Sequence, residues 1–170
     1  MNINDFLPRL ESNQLTIASL VEPVSIEHAR WKPHPGSWSV LEIINHLHDE
    51  EREDFRRRLD YTLNRPGENW PPIDPEGWVI ERKYNEQDLE KSLENFLNER
   101  AESLSWLRSL KEVDWDRGYE HPKAGTLRAG DLMASWLAHD YLHIRQLVQR
   151  HFLYAQDFSR PYSTAYSGGW

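Results

Sequence analysis

Four stretches of the chain repeat apolar residues at helical spacing, separated by polar connections rich in proline or glycine. In the first, from about Asn4 to Val21, Phe6, Leu7, Leu10, Ile17, Leu20 and Val21 share one stripe, and Pro23 ends the run. The connector HARWKPHPGSWS follows. Ser39, with Glu42 three residues later, has the form of a capping box, in which each side chain satisfies a backbone N–H at the start of a helix. From there Val40, Ile43, Ile44, Leu47, Phe55, Leu59 and Leu63 predict one helix to Asn64. A third helix is expected from about Glu86 to Leu110, with Leu89, Leu93, Phe96, Leu97, Leu104 and Leu107 on its apolar face. Thr126 opens a fourth, to about Phe152, whose face is Leu132, Met133, Trp136, Leu137, Ile144, Leu147 and Val148.

The connections carry their own signals. In RPGENWPPIDPEGW, Pro66, Pro71, Pro72 and Pro75 remove N–H donors, so neither helix nor central strand is expected there. It reads as a long crossover loop bearing Trp70 and Trp78, serving either as a functional lid or as a plain tether. KEVDWDRGYEHPKAG reads as the next loop, and the tail SRPYSTAYSGGW is expected to pack loosely. Four helices without convincing strands predict an all-α fold: a four-helix bundle with the long crossover between helices two and three.

Composition narrows the function. At 170 residues the chain suits one domain, 1–170, burying roughly 70% of the surface its unfolded form exposes. A formal charge of −8 argues against nucleic acid, which needs a basic stripe. The one dense basic run, Arg56-Arg57-Arg58, follows Glu50, Glu51, Glu53 and Asp54 and reads as a mixed-charge helix face. With no cysteine, any metal must be held by histidine and carboxylate. No apolar run approaches the ~20 residues of a membrane span, and the start lacks a cationic signal sequence, so a soluble cytoplasmic protein is expected. The 8 tryptophans belong in the core or around a pocket rim.

The sharpest chemical signal is His139 and His143 in ASWLAHDYLHIRQLVQR. Four residues apart on a helix, two imidazoles stack on one face about 6 Å apart along the axis and can share one transition metal. Spacing alone is weak: with 8 histidines, about 0.4 such pairs would arise by chance. His48 points about 200° around the helix from His46, and His151 lies about 12 Å along the axis from His143, so neither joins its neighbour at one ion. His28, His34 and His121 sit in proline-rich connectors and read as surface residues.

The segment Trp38-Ser39-Val40-Leu41-Glu42-Ile43-Ile44-Asn45-His46-Leu47 resembles the first signature of the DinB-like, or YfiT-like, metalloenzyme superfamily. There a W-S-hydrophobic turn opens helix two, and the histidine before leucine is a metal ligand. The second signature, H-x3-H on the last helix followed by a glutamine, is matched by His139-Asp140-Tyr141-Leu142-His143-Ile144-Arg145-Gln146. The resemblance spans about Asn4 to Phe152. It implies that His46, His139 and His143 bind one divalent metal at a pocket mouth, with water completing the shell.

Three imidazoles suit Zn, Ni, Fe or Mn and leave open positions, the mark of a catalytic site. The expected function is a thiol-dependent S-transferase, using a low-molecular-weight thiol as cosubstrate, or a metal-assisted hydrolase. The alternative is a non-catalytic, stress-associated bundle that keeps the metal. A small-molecule substrate is expected, and homodimers are common among such bundles. Glu50, four residues after His46, is a candidate to orient a ligand, as are Asp49, Glu42 and Gln146. Trp38, Trp70, Trp78 and Trp136 are candidates for pocket walls or for core filling. Arg145 and Arg128 are the cations expected near the metal on the last helix.

Overall fold

The computed structural model describes residues 2–170. Its main elements are α1 (Leu7–Val21), the short α2 (Ile26–Arg30), α3 (Val40–Asp49), α4 (Arg56–Asn64), α5 (Pro75–Glu81), α6 (Leu89–Ser109) and α7 (Ala129–Phe158), with two short strands, β1 (Gly118–His121) and β2 (Gly125–Arg128), before α7. A six-residue π turn, Glu50–Phe55, joins α3 to α4, so the predicted second helix is a single rod with a widened turn in its middle. Four long rods form the bundle. The α3–α4 rod and α1 stand at opposite corners, each packed against both α6 and α7. Among the described residues, no helix is long and apolar enough to cross a membrane.

Local chemistry explains the boundaries. Ser39 Oγ accepts from the Glu42 N–H at 3.1 Å, and Glu42 accepts from the Ser39 N–H at 2.8 Å, completing the capping box. Asp88 caps α6 by accepting from the Lys91 N–H.

Two expectations are corrected. The proline-rich crossover does contain a helix, α5, because Pro75 occupies a first-turn position that needs no N–H donor, while the Asp74 carboxylate accepts from the Gly77 N–H. The loop before α7 contains an antiparallel hairpin pairing Gly118–His121 with Gly125–Arg128. Its turn is completed by Gly125 at φ +72°, a left-handed conformation that favours glycine.

The core is in two halves. One gathers Leu7, Leu10, Phe55, Leu59, Leu63, Leu104, Leu107, Met133 and Trp136, with Trp70. The other gathers Ile17, Val21, Val40, Leu41, Ile43, Ile44, Leu47, Phe96 and Leu147. Between the two apolar groups each rod contributes a buried polar residue to a shared network: Asn13 from α1, Glu51 from the π turn, Arg100 from α6 and Asp140 from α7. These four form a single layer across the middle of the bundle.

That layer is closely paired. Arg100, fully buried, meets both Asp140 oxygens at 2.6 and 2.8 Å and Glu51 Oε1 at 2.6 Å, and it donates to the Leu10 carbonyl at 3.2 Å. Asn13 donates to Asp140, and the Trp136 indole N–H donates to Glu51 at 2.7 Å. A buried charge is tolerable only with partners of this quality.

Candidate metal centre

The three histidines expected from the sequence meet beside this layer. His46 comes from α3, one turn before the π segment, and His139 and His143 flank Asp140 on α7. His139 Nε2 lies 3.3 Å from His46 Nε2 and 3.0 Å from His143 Nε2, and ligand atoms of all three lie within 4.8 Å of one another. Nitrogens bound to one ion at ~2.0–2.1 Å stand roughly 2.9–3.4 Å apart for bond angles between 90° and tetrahedral, so the observed spacing fits a shared ion.

The electrostatics agree. Burial, reinforced by the neighbouring His143 ring, pushes His46 down to a pKa of about 3, and burial with His143 and His46 nearby pushes His139 down to about 2. Burial also lowers His143, against the opposing effect of its Gln146 hydrogen bond. All three rings are therefore neutral at pH 7 and present lone pairs. Gln146 Oε1 accepts from His143 Nδ1–H at 2.8 Å, which fixes the tautomer and leaves Nε2 facing the cluster.

Aromatic rings shield the cluster. Trp38 lies 4.7 Å from the His46 ring and parallel to the His143 ring, and Phe55 lies 5.1 Å from His139. Of the four tryptophans considered from sequence, Trp38 is the one whose ring pairs with rings of the cluster among the described residues. Trp70 stacks on Tyr119, Trp78 packs with Tyr84 and Val79, and Trp136 spans the core to Glu51.

The other expected neighbours separate cleanly. Glu50 Oε1 stands 3.9 Å from His46 Nδ1, beyond hydrogen-bond reach, and neither atom has another partner. Burial and the adjacent Asp54 hold the Glu50 carboxyl well above the usual carboxylate range, so at pH 7 this is a contact between two neutral groups. Glu42 is committed to its cap and to Lys32 at 2.6 Å, and Asp49 to Arg82 at 2.5 Å and to the Tyr84 hydroxyl. Arg128 pairs with Asp131 and Asp116 at the far end of α7. Arg145 borders a cavity beside His143. His48 and His151 lie outside the cluster, as their spacing requires, with His151 bonded to the Leu20 carbonyl. His28 departs from the surface reading: it is half-buried, stacked on Tyr154 with ring centroids 3.8 Å apart.

Two cavities meet at His143. One, of about 330 Å³, is walled by Gly36, Ser37, Trp38, Gln146 and Arg150, and the other, of about 560 Å³, includes Arg145, Gln146, Gln149 and Arg150. The buried layer of Asn13, Glu51, Arg100 and Asp140 was not anticipated from sequence. Its trace is a polar residue set between apolar ones at spacings of three to seven in each rod: Leu10-Asn13-Ile17, Leu47-Glu51-Phe55, Phe96-Arg100-Leu104 and Trp136-Asp140-Leu147.

The sequence matches the model of the DinB superfamily over residues 9–147. A relative from Oceanobacillus iheyensis, named "Putative metal-dependent hydrolase", is 25% identical over 147 residues, covering 86% of this chain and 84% of its own length. In three dimensions the chain superposes on YfiT from Bacillus subtilis with a TM-score of 0.77 at 19% identity, over 88% of this chain and 85% of that one. That structure is described as a probable metal-dependent hydrolase with an unusual four-helix bundle topology, and the match establishes the shared fold.

Proposed function

The chain belongs to the DinB superfamily, and from that membership and its three converging imidazoles we propose that it is a metal-dependent hydrolase holding one divalent transition ion on His46, His139 and His143. The observation that carries this reading is the meeting of three neutral Nε2 atoms at one shielded point. Three protein ligands leave positions free for water and substrate. The name borne by the Oceanobacillus iheyensis relative points the same way.

A divalent ion in such a site acts as a Lewis acid and lowers the pKa of bound water toward neutrality. The chain's own side chains do the rest. Gln146 holds the His143 tautomer, Trp38 and Phe55 keep bulk water from the imidazoles, and His143 faces the two cavities from which a small substrate would approach.

Elemental analysis of untagged protein, reconstituted with each metal in turn, should find about one Zn, Ni, Fe or Mn per chain, and His143→Ala should abolish it. The loaded protein should hydrolyse members of an ester and amide panel, and His139→Ala should not. A metal-free wild type after reconstitution would overturn the reading. Because the chain has no cysteine, thiol transfer would need an added thiol. A thiolate-to-cobalt charge-transfer band, with thiol-dependent consumption of an epoxide or alkyl halide, would replace hydrolysis by transfer. Stoichiometric metal with neither turnover would leave a metal-binding bundle.

A further inference from the structure

The chain holds two buried arginines on bundle helices, and their surroundings are opposite. Arg100 is fully enclosed by two carboxylates and a carbonyl. Arg150, on α7, is only 6% exposed, yet among the described residues its side chain has no ion pair and no hydrogen bond, and its Nε is buried without a partner. Desolvation lowers its pKa with no carboxylate acting in the other direction. The enclosure is confined to Nε: the two Nη groups, equally without a protein partner, are not sealed from solvent. A largely desolvated guanidinium left without a carboxylate still costs a fold stability, so a chain that keeps one requires a reason.

Position supplies it. Arg150 borders both cavities that meet at His143, with Gln146 bordering both as well. It stands seven residues after His143, two turns on, so it shares the face of α7 that carries the histidine and Gln146. Side chains on a helix lean toward its N-terminus, which aims the guanidinium back toward His143. Arg145 and Gln149 border the larger cavity and add a second cation and another amide. In a chain of formal charge −8, this is a locally cationic, amide-lined recess.

We infer that Arg150 receives an anionic group, a carboxylate or a phosphate, on a small molecule bound beside His143. The planar fork of a guanidinium pairs with two oxygens of either group, and burial strengthens that pairing. As a statement about substrate class this rests on the hydrolase reading, the anion being the handle that places a scissile bond near the metal. As an anion site it stands on Arg150 itself and needs no metal.

The test therefore begins on metal-free protein. Inorganic phosphate and glutarate serve as probes at constant ionic strength, with chloride as control, and the Nε–H resonance of Arg150, assigned by its loss in Arg150→Lys, is followed by NMR. One probe should move it saturably, with a midpoint on the order of 1–10 mM, and the probe that does so distinguishes phosphate from carboxylate. In Arg150→Met, stabilisation by that probe should weaken at least tenfold. Without probe, the same variant should melt above wild type by roughly 2–4 °C, because an unpaired buried charge has been replaced by an apolar chain of similar length. A guanidinium serving only the fold would give the reverse. An Arg150→Met protein that melts lower or does not fold, binding equal to wild type, or no shift with either probe would each overturn the inference. Metal occupancy of wild type and Arg150→Met after reconstitution with the ion, measured separately, distinguishes failure here from failure of the hydrolase reading.

Discussion

Replacing Arg100 by methionine removes the one cation from the polar layer and leaves Glu51 and Asp140, 2% and 0% exposed, without a countercharge, each keeping only a neutral donor, the Trp136 indole and the Asn13 amide. Methionine roughly fills the space of the alkyl stem, so the cost is electrostatic. Breaking one side of a buried ion pair typically costs about 3–5 kcal/mol, and here one residue serves two carboxylates and the Leu10 carbonyl. For a chain of this size that corresponds to a fall in Tm of about 6–20 °C. Urea unfolding followed by tryptophan fluorescence should show the midpoint dropping by about 1 M or more with an unchanged slope. The triple variant R100M/E51Q/D140N, which removes both stranded charges, should recover at least half of the loss. A single variant within about 1 kcal/mol of wild type, or a triple variant no better than the single, would refute the claim that charge pairing holds this layer.

Three further outcomes are expected. His143→Ala should lose metal binding yet leave the metal-free protein within about 1 kcal/mol of wild type by urea unfolding, because the two apolar halves of the core do not depend on the ion. Gln146→Leu should keep the three ligands but weaken metal affinity about 10–100-fold in a competition titration, since the His143 tautomer is no longer held. Burial, with His151 beside it, lowers His28 to a pKa of about 4, below its unfolded value of 6.5. The unfolded chain therefore binds more protons between those values, and stability contributed by neutral His28 is lost as pH falls from 6.5 toward 4. Half-exposed, the ring contributes less than about 1 kcal/mol, and unfolding of metal-free His28→Phe, which keeps the stack on Tyr154, should show a correspondingly flatter pH dependence than wild type.

Helix periodicity carried the four rods because each presents a long apolar stripe, and the Ser39–Glu42 cap fixed the start of α3 to the residue. Short elements escaped it. The α5 helix spans seven residues and begins on a proline, so composition reads as a break even though Asp74-Pro75 is a good helix start. The two four-residue strands are too short for alternation to show above noise. The π turn was invisible for a different reason: Leu47, Phe55, Leu59 and Leu63 stand at multiples of four through it and read as an ordinary helix, while Glu50 and Glu51, both buried, look like solvated acids in sequence. The histidine cluster was legible through motif spacing and order along the chain. Arg150 was not, because its meaning lies in the absence of a partner, and an unpaired arginine looks like any other in sequence.

The polar layer and the histidine cluster are linked through α7, where Asp140 sits between His139 and His143. The layer holds one guanidinium against two carboxylates, a buried excess of one negative charge. Asp140 favours positive charge at His143, while Arg100 disfavours it at His139, so two of the four members of the layer act on the cluster. Three neutral imidazoles contribute no countercharge to a divalent ion, and the deficit in this shielded region falls to the layer behind them. On the other side, past His143, lies the unpaired Arg150. The bundle thus sets a negative region behind the candidate metal position and a positive one in front. A substrate carrying an anionic group would be drawn to the front, with its charge on Arg150 and its remaining atoms toward the imidazoles. Neutralising the layer should therefore weaken metal affinity while leaving anion binding at Arg150 intact, and removing Arg150 should do the opposite.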